Sequence, residues 1–250
     1  MPRSGLALDV KGFLEESFGD WDGEPASVIF LPSCNFRCPF CHNVNLVLNP
    51  EKLETIPFQY IEDQLVKHKN WRNAVCITGG EPTLQDKLPE LCQKLKQMDF
   101  KVKLDTNGTN PAILKELIDK KLVNYVAMDI KAPLNPEKYS EATGIDTTSL
   151  LEKVKTSIRI LMESNIDYEF RTTVVPTIHT AEDIEQICNS LSGCKKYVIQ
   201  EFDVGIGQET LNPNLKSTSW NEKDIKELLK IAQQIIPNTK LRGNLRQTET

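Results

Sequence analysis

The chain has no apolar run near the ~20 residues needed to cross a bilayer; its longest runs, such as 26–31 (ASVIFL), have strand length. Its opening, MPRSGLALDV, has none of the apolar stretch of a signal peptide, so a cytoplasmic protein with no membrane partner is expected. Positive charge is not in excess: 30 Lys+Arg stand against 35 Asp+Glu, a net −5. That argues against a nucleic-acid partner, whose backbone asks for a basic face. Histidine is scarce, at 3 residues, and no Ser-His-Asp constellation is evident. The cysteine count of 7 is odd and comes without a secretory signal, so a disulfide framework is not expected. Apolar and charged fractions of 39% and 26% exclude disordered and collagen-like chains. The 250 residues are enough to bury a sizeable core.

What is present is an alternation. Short β-branched or apolar runs at 26–31, 73–77, 100–105, 124–130, 168–175 and 197–202 read as strands. Between and after them, apolar spacing of three and four predicts helices at 57–68, 84–98, 111–120, 149–164, 180–191 and 221–235. Asn110-Pro111 reads as an N-cap with proline at the first helical position. Thr180 with Asp183 reads as a capping-box start with Asp in place of Glu. Six β-then-α units predict a mostly parallel sheet with outer helices, a partial (β/α)6 TIM-like barrel or an open doubly wound sheet. In outline this is an N-terminal extension over 1–24, with a possible extra hairpin, one barrel unit over 25–243, and a polar tail over 244–250. Residues 203–220 read as a long loop.

In such folds the chemistry belongs at the C-terminal ends of the strands. The unusual polar motifs fall there: Cys34–Cys41 after the first predicted strand, TGGE (78–81) after the second, DTNG (105–108) after the third and DIK (129–131) at the fourth. They read as one composite site. Cys34, Cys38 and Cys41 make a CxxxCxxC pattern, with no second knuckle to complete a four-ligand zinc site. Three thiolates on one short loop suit an iron–sulfur cube with one iron left open. The alternatives are a Cys3His zinc site using His42, or three unconnected core cysteines. Cys76 and Cys92 fall in core-like patterns, and Cys188 and Cys194 read as plain packing.

These residues resemble the radical S-adenosylmethionine (SAM) enzymes, whose signature is CxxxCxΦC with an aromatic Φ. Cys34, Cys38, Phe40 and Cys41 match it, and Gly79-Gly80-Glu81-Pro82 matches the family's GGEP motif. The surrounding CNFRCPFCHN, TGGEPTLQ, KLDTNG and VAMDIKAP are similar to the activating proteins of anaerobic ribonucleoside-triphosphate reductase and to other glycyl-radical activases, strongly over 26–176. The resemblance implies a [4Fe–4S] cluster on Cys34, Cys38 and Cys41, whose open iron chelates the methionine part of SAM. It implies that Gly79, Gly80 and Glu81 hold the SAM amino group and that Phe40 lies against the adenine. It places Asp105, Thr106 and Asp129 around a monovalent cation, counts Asn107 among the cofactor-binding residues, and pairs Lys131 with the cofactor carboxylate or ribose. Two such Asp residues would repel unless a cation or a Lys stood between them; a plainer reading has Asp105 making an Asx-turn with Gly108. Arg171 and Val174 would reach the carboxylate and the adenine.

The sequence departs from the subgroup at Gln200-Glu-Phe-Asp-Val204, where relatives tend to show a QQFRP-like stretch. It also lacks a cysteine-rich insert, so a single cluster is expected. The implied reaction needs no protein acid or base. Reductive cleavage of SAM gives a 5′-deoxyadenosyl radical that takes a hydrogen atom from a backbone glycine of a partner reductase. The electron comes from a flavodoxin- or ferredoxin-type donor. Its rivals are a radical SAM enzyme acting on another glycyl-radical protein or a small molecule, and a non-catalytic iron–sulfur or zinc protein.

Overall fold

A computed structural model describes residues 8–203, 209–217 and 220–243. The predicted polar tail, the first seven residues of the N-terminal extension and part of the 203–220 loop lie outside those residues. Strands β1 (Gly12–Ser17), β2 (Ala26–Leu31), β3 (Ala74–Gly79), β4 (Lys101–Thr106), β5 (Tyr125–Asp129), β6 (Asp167–Val174), β7 (Tyr197–Glu201) and β8 (Thr239–Arg242) form one sheet in sequential order. β1 runs antiparallel to β2, while β2–β3, β3–β4, β6–β7 and β7–β8 are parallel. This is the mostly parallel α/β class expected. Two strands go beyond the six: β1, a single strand in the extension that pairs with β2 where a separate extra hairpin was considered, and β8, which follows the last helix, where none was expected.

Among the described residues the helices are α1 (Val44–Leu48), α2 (Phe58–Lys67), α3 (Leu88–Gln97), α4 (Pro111–Asp119), α5 (Pro136–Thr143), α6 (Leu151–Glu163), α7 (Ala181–Ser190) and α8 (Glu222–Ile235). None is long and apolar enough to cross a membrane. The chain divides into two compact units: residues up to 35 with 43–127 and 164–167, and 36–42 with 128–163 and 168 onward. In the first, β2 and β3 are apolar runs almost wholly removed from water, as parallel strands covered on both faces must be. Ile61 and Leu65 of α2 and Leu88, Leu91, Cys92 and Leu95 of α3 are fully buried. Trp21 packs with Ala26, Ala74 and Tyr125 at the start of the strands. In the second, Val154 and Leu161 of α6, Ile184, Ile187 and Cys188 of α7, and Ile225 and Ala232 of α8 fill the core.

The predicted caps form. Asn110 accepts from Ile113 N ahead of Pro111, and Thr180 and Asp183 bond each other's backbone N–H groups in a capping box, a device worth about 1 kcal/mol. Two helices were not expected: α1, only five residues long, and α5 (PEKYSEAT), which carries too few apolar residues to show a period and whose reasons lie elsewhere. Its signals are local: Asn135 caps it through Lys138 N at 2.9 Å, Pro136 opens it, and Gly144 ends it at φ 68°.

Candidate functional site

The cysteine loop is held by backbone, mostly from outside its own sequence. Thr143 O at the end of α5 accepts from Arg37 N at 2.8 Å. A Cβ on Gly144 would strike Arg37 O, so only glycine lets the helix end pass so close. Fully buried Tyr139 of α5 packs edge-on to Phe36, with ring centres 6.3 Å apart. Beyond β7, Asn212 N donates to Pro39 O at 2.8 Å and Leu211 N to Cys41 O at 3.2 Å. α5 and residues 211–212 thus seat the turn that carries Cys38 and Cys41. None of the seven cysteines is in a disulfide. No three His, Cys, Asp or Glu side chains among the described residues are gathered for a single metal ion. A cube does not ask for that, because each thiolate goes to a different iron. His42 stacks on Phe202 at 5.6 Å, and burial pulls its pKa below the usual value against the opposing charge of Asp203.

In the first unit, the end of β3 presses against the end of β2. Gly80 N donates to Leu31 O and Glu81 N to Ser33 O, at 2.9 and 2.8 Å. A Cβ on Gly79 would strike Leu31 O and one on Gly80 would strike Ser33 O; Gly79 also sits at φ 121°. Asn43 donates to Gly79 O at 2.6 Å. The Glu81 carboxylate, 1% exposed, points into the protein and accepts from Thr83 N (3.0 Å), Thr83 Oγ1 (2.6 Å), Thr106 Oγ1 (2.7 Å) and Asn107 N (2.6 Å). Burial raises its pKa, and these hydrogen bonds only partly offset the rise. Glu81 therefore ties GGEP to DTNG. Lys103 pairs with Asp105. In the turn at Gly108, Thr106 Oγ1 accepts from Gly108 N at 3.1 Å.

In the second unit, Asp129 at the end of β5 accepts from Lys131 Nζ and from Arg171 Nε of β6, both at 2.8 Å. Burial alone would raise its pKa; the two cations outweigh that and hold the carboxyl well below the usual range. Lys131 is held above its usual value, because the charges of Asp129 and Cys38 outweigh its desolvation. Its ammonium lies 5.9 Å from the centre of the Phe40 ring. His179 accepts from Val175 N at Nδ1 (3.0 Å) and reaches Lys131 O from Nε2 (2.8 Å), so Nε2 carries the proton. Its ring meets Phe40 edge-on at 6.3 Å. Val174 is fully buried and its carbonyl accepts from Trp220 Nε1 at 3.0 Å.

Each unit thus gathers its share of the predicted residues at strand ends. Sequence reasoning missed Asn35, Asn43, Thr83, Lys103, Thr109 and His179. All but His179 lie in or beside the motifs, Lys103 opening KLDTNG, where their polar character was the available signal.

Comparison with known proteins decides the family. Residues 28–191 match the Radical SAM superfamily. The chain belongs to it. A Methanocaldococcus jannaschii protein provisionally named a glycyl-radical enzyme activating enzyme is 34% identical over 93% of this chain and 95% of its own. A second from the same organism, with the same provisional name, is 29% identical over 82% and 76%. Among solved structures, Streptococcus suis SuiB bound to S-adenosylmethionine superposes with a TM-score of 0.66 at 16% identity, over 88% of this chain and 52% of SuiB. That likeness speaks for the fold alone. Membership makes this a radical SAM enzyme, and the family implies a [4Fe–4S] cluster and SAM as cofactors. The donor set fits: three thiols outside any disulfide lie within eight residues of one braced loop, and the Asn107 amide is directed at the first of them.

Proposed function

We propose that this radical SAM enzyme activates a glycyl-radical enzyme, specifically an anaerobic ribonucleoside-triphosphate reductase. The observation that carries the reading is 34% identity, along almost the full length of both chains, to a protein provisionally named as such an activase. The stretches CNFRCPFCHN, TGGEPTLQ, KLDTNG and VAMDIKAP, which resemble those of reductase activating proteins, support the reductase as the partner.

Cys34, Cys38 and Cys41 hold the cluster. When bound, cluster and SAM together supply one-electron cleavage of the sulfonium carbon–sulfur bond, giving methionine and a 5′-deoxyadenosyl radical that takes a hydrogen atom from the partner's glycine. The chain's own residues bind, orient and exclude water. The close approach of Gly79 and Gly80 to the end of β2 fixes the backbone that receives the methionine amino group. Glu81 keeps that backbone in register with Thr106 and Asn107. Lys131 and Arg171 both contact the Asp129 carboxylate, which holds the two cations at one strand end, where Lys131 can meet the cofactor's carboxylate. Phe40, between His179 and Phe202, offers an aromatic wall to the adenine. Lys103 already pairs with Asp105, so a monovalent cation at Asp105 and Thr106 would be an addition to a neutralised pair. A low-potential flavodoxin or ferredoxin delivers the electron.

The test is anaerobic: reconstituted protein, dithionite, SAM and the reductase are mixed and the reductase is examined by electron paramagnetic resonance. A glycyl radical that needs all components is expected. SAM cleavage that never yields a protein radical would turn the reading to a small-molecule substrate.

A further inference from the structure

Asn107 carries two side-chain N–H groups, and the structure accounts for both. One goes to Asn35 Oδ1 at 2.9 Å and the other to Cys34 Sγ at 3.9 Å, long but within reach of a sulfur acceptor. Its Oδ1 accepts from Thr109 N at 3.0 Å and Thr109 Oγ1 at 2.7 Å. Thr109 Oγ1 in turn accepts from Asn35 Nδ2 at 2.9 Å. The three side chains close a ring, and the ring fixes the amide's orientation: exchanging its O and N would set donors against donors. Asn107 and Thr109 are 5% and 4% exposed, so water does not compete for these bonds. The backbone N–H of Asn107 is anchored on Glu81. One N–H is therefore held on the sulfur by a frame that has no other outlet for it.

We infer that Asn107, oriented by Asn35 and Thr109, sets the reduction potential of the cluster through its N–H on the Cys34 thiolate. This rests on the cluster reading above. Hydrogen bonds to cluster sulfurs are one of the levers on potential, and a donor favours the reduced cluster, whose sulfurs carry more negative charge. The bond strengthens as the thiol becomes an iron-bound thiolate, because hydrogen bonds to ionised acceptors are the stronger ones. Removing it makes the cluster harder to reduce.

Wild-type, Asn107→Leu, Thr109→Val and Thr109→Ser proteins are reconstituted anaerobically with iron and sulfide, and iron content is measured first. The reduced cluster is then titrated by electron paramagnetic resonance without SAM. At the wild-type midpoint, the reduced-to-oxidised ratio is expected to fall about three- to tenfold in Asn107→Leu. Thr109→Val, which opens the ring without touching the sulfur, moves it less in the same direction, and Thr109→Ser leaves it in place. Electron–nuclear double resonance after deuterium exchange should lose one exchangeable proton coupling in Asn107→Leu. A wild type that binds no iron overturns the cluster reading and this inference with it. A wild-type cluster whose midpoint and proton coupling survive Asn107→Leu overturns this inference alone. If Asn107→Leu does not load iron, Asn107→Asp, which keeps the shape and the acceptor for Thr109, is read by the same criterion, and an unmoved midpoint there is equally decisive.

Discussion

Glu81 and Asp129 stand at the ends of two different strands, both largely shielded from water, and they are held in opposite ways. Glu81 is caged by neutral donors: two hydroxyls and two backbone N–H groups. Asp129 is held by two cations. Neutral donors satisfy oxygen lone pairs but do not cancel the charge, so burial wins and the Glu81 pKa rises. Cations cancel the charge and more, so the Asp129 pKa falls. The first arrangement is a mechanical tie between two loops; the second draws two cations to one carboxylate, with Lys131 beside the Phe40 ring. The two carboxylates thus do different work in the fold, one tying backbone to backbone and the other holding two cations together.

The comparison can be broken most severely at Gly80. Gly80→Ala would drive its Cβ into Ser33 O, so the segment carrying Glu81 must move and its bonds loosen together. A loss of about 4 kcal/mol or more, read from the denaturant midpoint, is expected. Asp129→Asn comes next. It removes the carboxylate that Lys131 and Arg171 both contact and should cost about 3 kcal/mol, together with weaker retention of the cofactor carboxylate in equilibrium binding. Glu81→Gln keeps the shape but turns one acceptor into a donor facing donors, for about 2 kcal/mol by the same denaturation assay.

The smallest effect sharpens the contrast through pH. Asp129 has a lowered native pKa, so its stabilisation is complete above the unfolded value of about 3.9 and is lost as pH falls through the native one. Glu81 has a raised native pKa, so its contribution is most favourable below about 4.3 and erodes as pH rises through the native value. Denaturant midpoints measured from acid to neutral pH should therefore lose the rising-pH erosion in Glu81→Gln and lose the acid-side decline in Asp129→Asn. Identical profiles in the two variants would contradict the distinction.

Much of this was legible before any coordinates. The β2 to β7 strands show as apolar runs because both their faces are buried, and α2, α3, α4, α6, α7 and α8 show as periodic because each has one face in water. α5 stayed hidden because its reasons are a cap, a proline and a closing glycine, not an apolar stripe. β8 stayed hidden because TKLR is short and half polar. The motif residues were legible, yet the partners of their side chains were not. Nothing in the chain order says that Glu81 turns inward to Thr106 and Asn107, or that Arg171 spends its Nε on Asp129. Those pairings arise where strands far apart in sequence end near one another. His179 is the clearest case: it lies in an ordinary loop sequence and gains its place only through Lys131 and Phe40.

The most direct test is to reconstitute the chain anaerobically with iron and sulfide, add dithionite and SAM, and quantify 5′-deoxyadenosine in the wild type and in Cys34→Ala, Cys38→Ala and Cys41→Ala. Product from the wild type and none from the three variants is the predicted result. Turnover retained in any variant, or zinc in place of iron in the purified wild type, would contradict it.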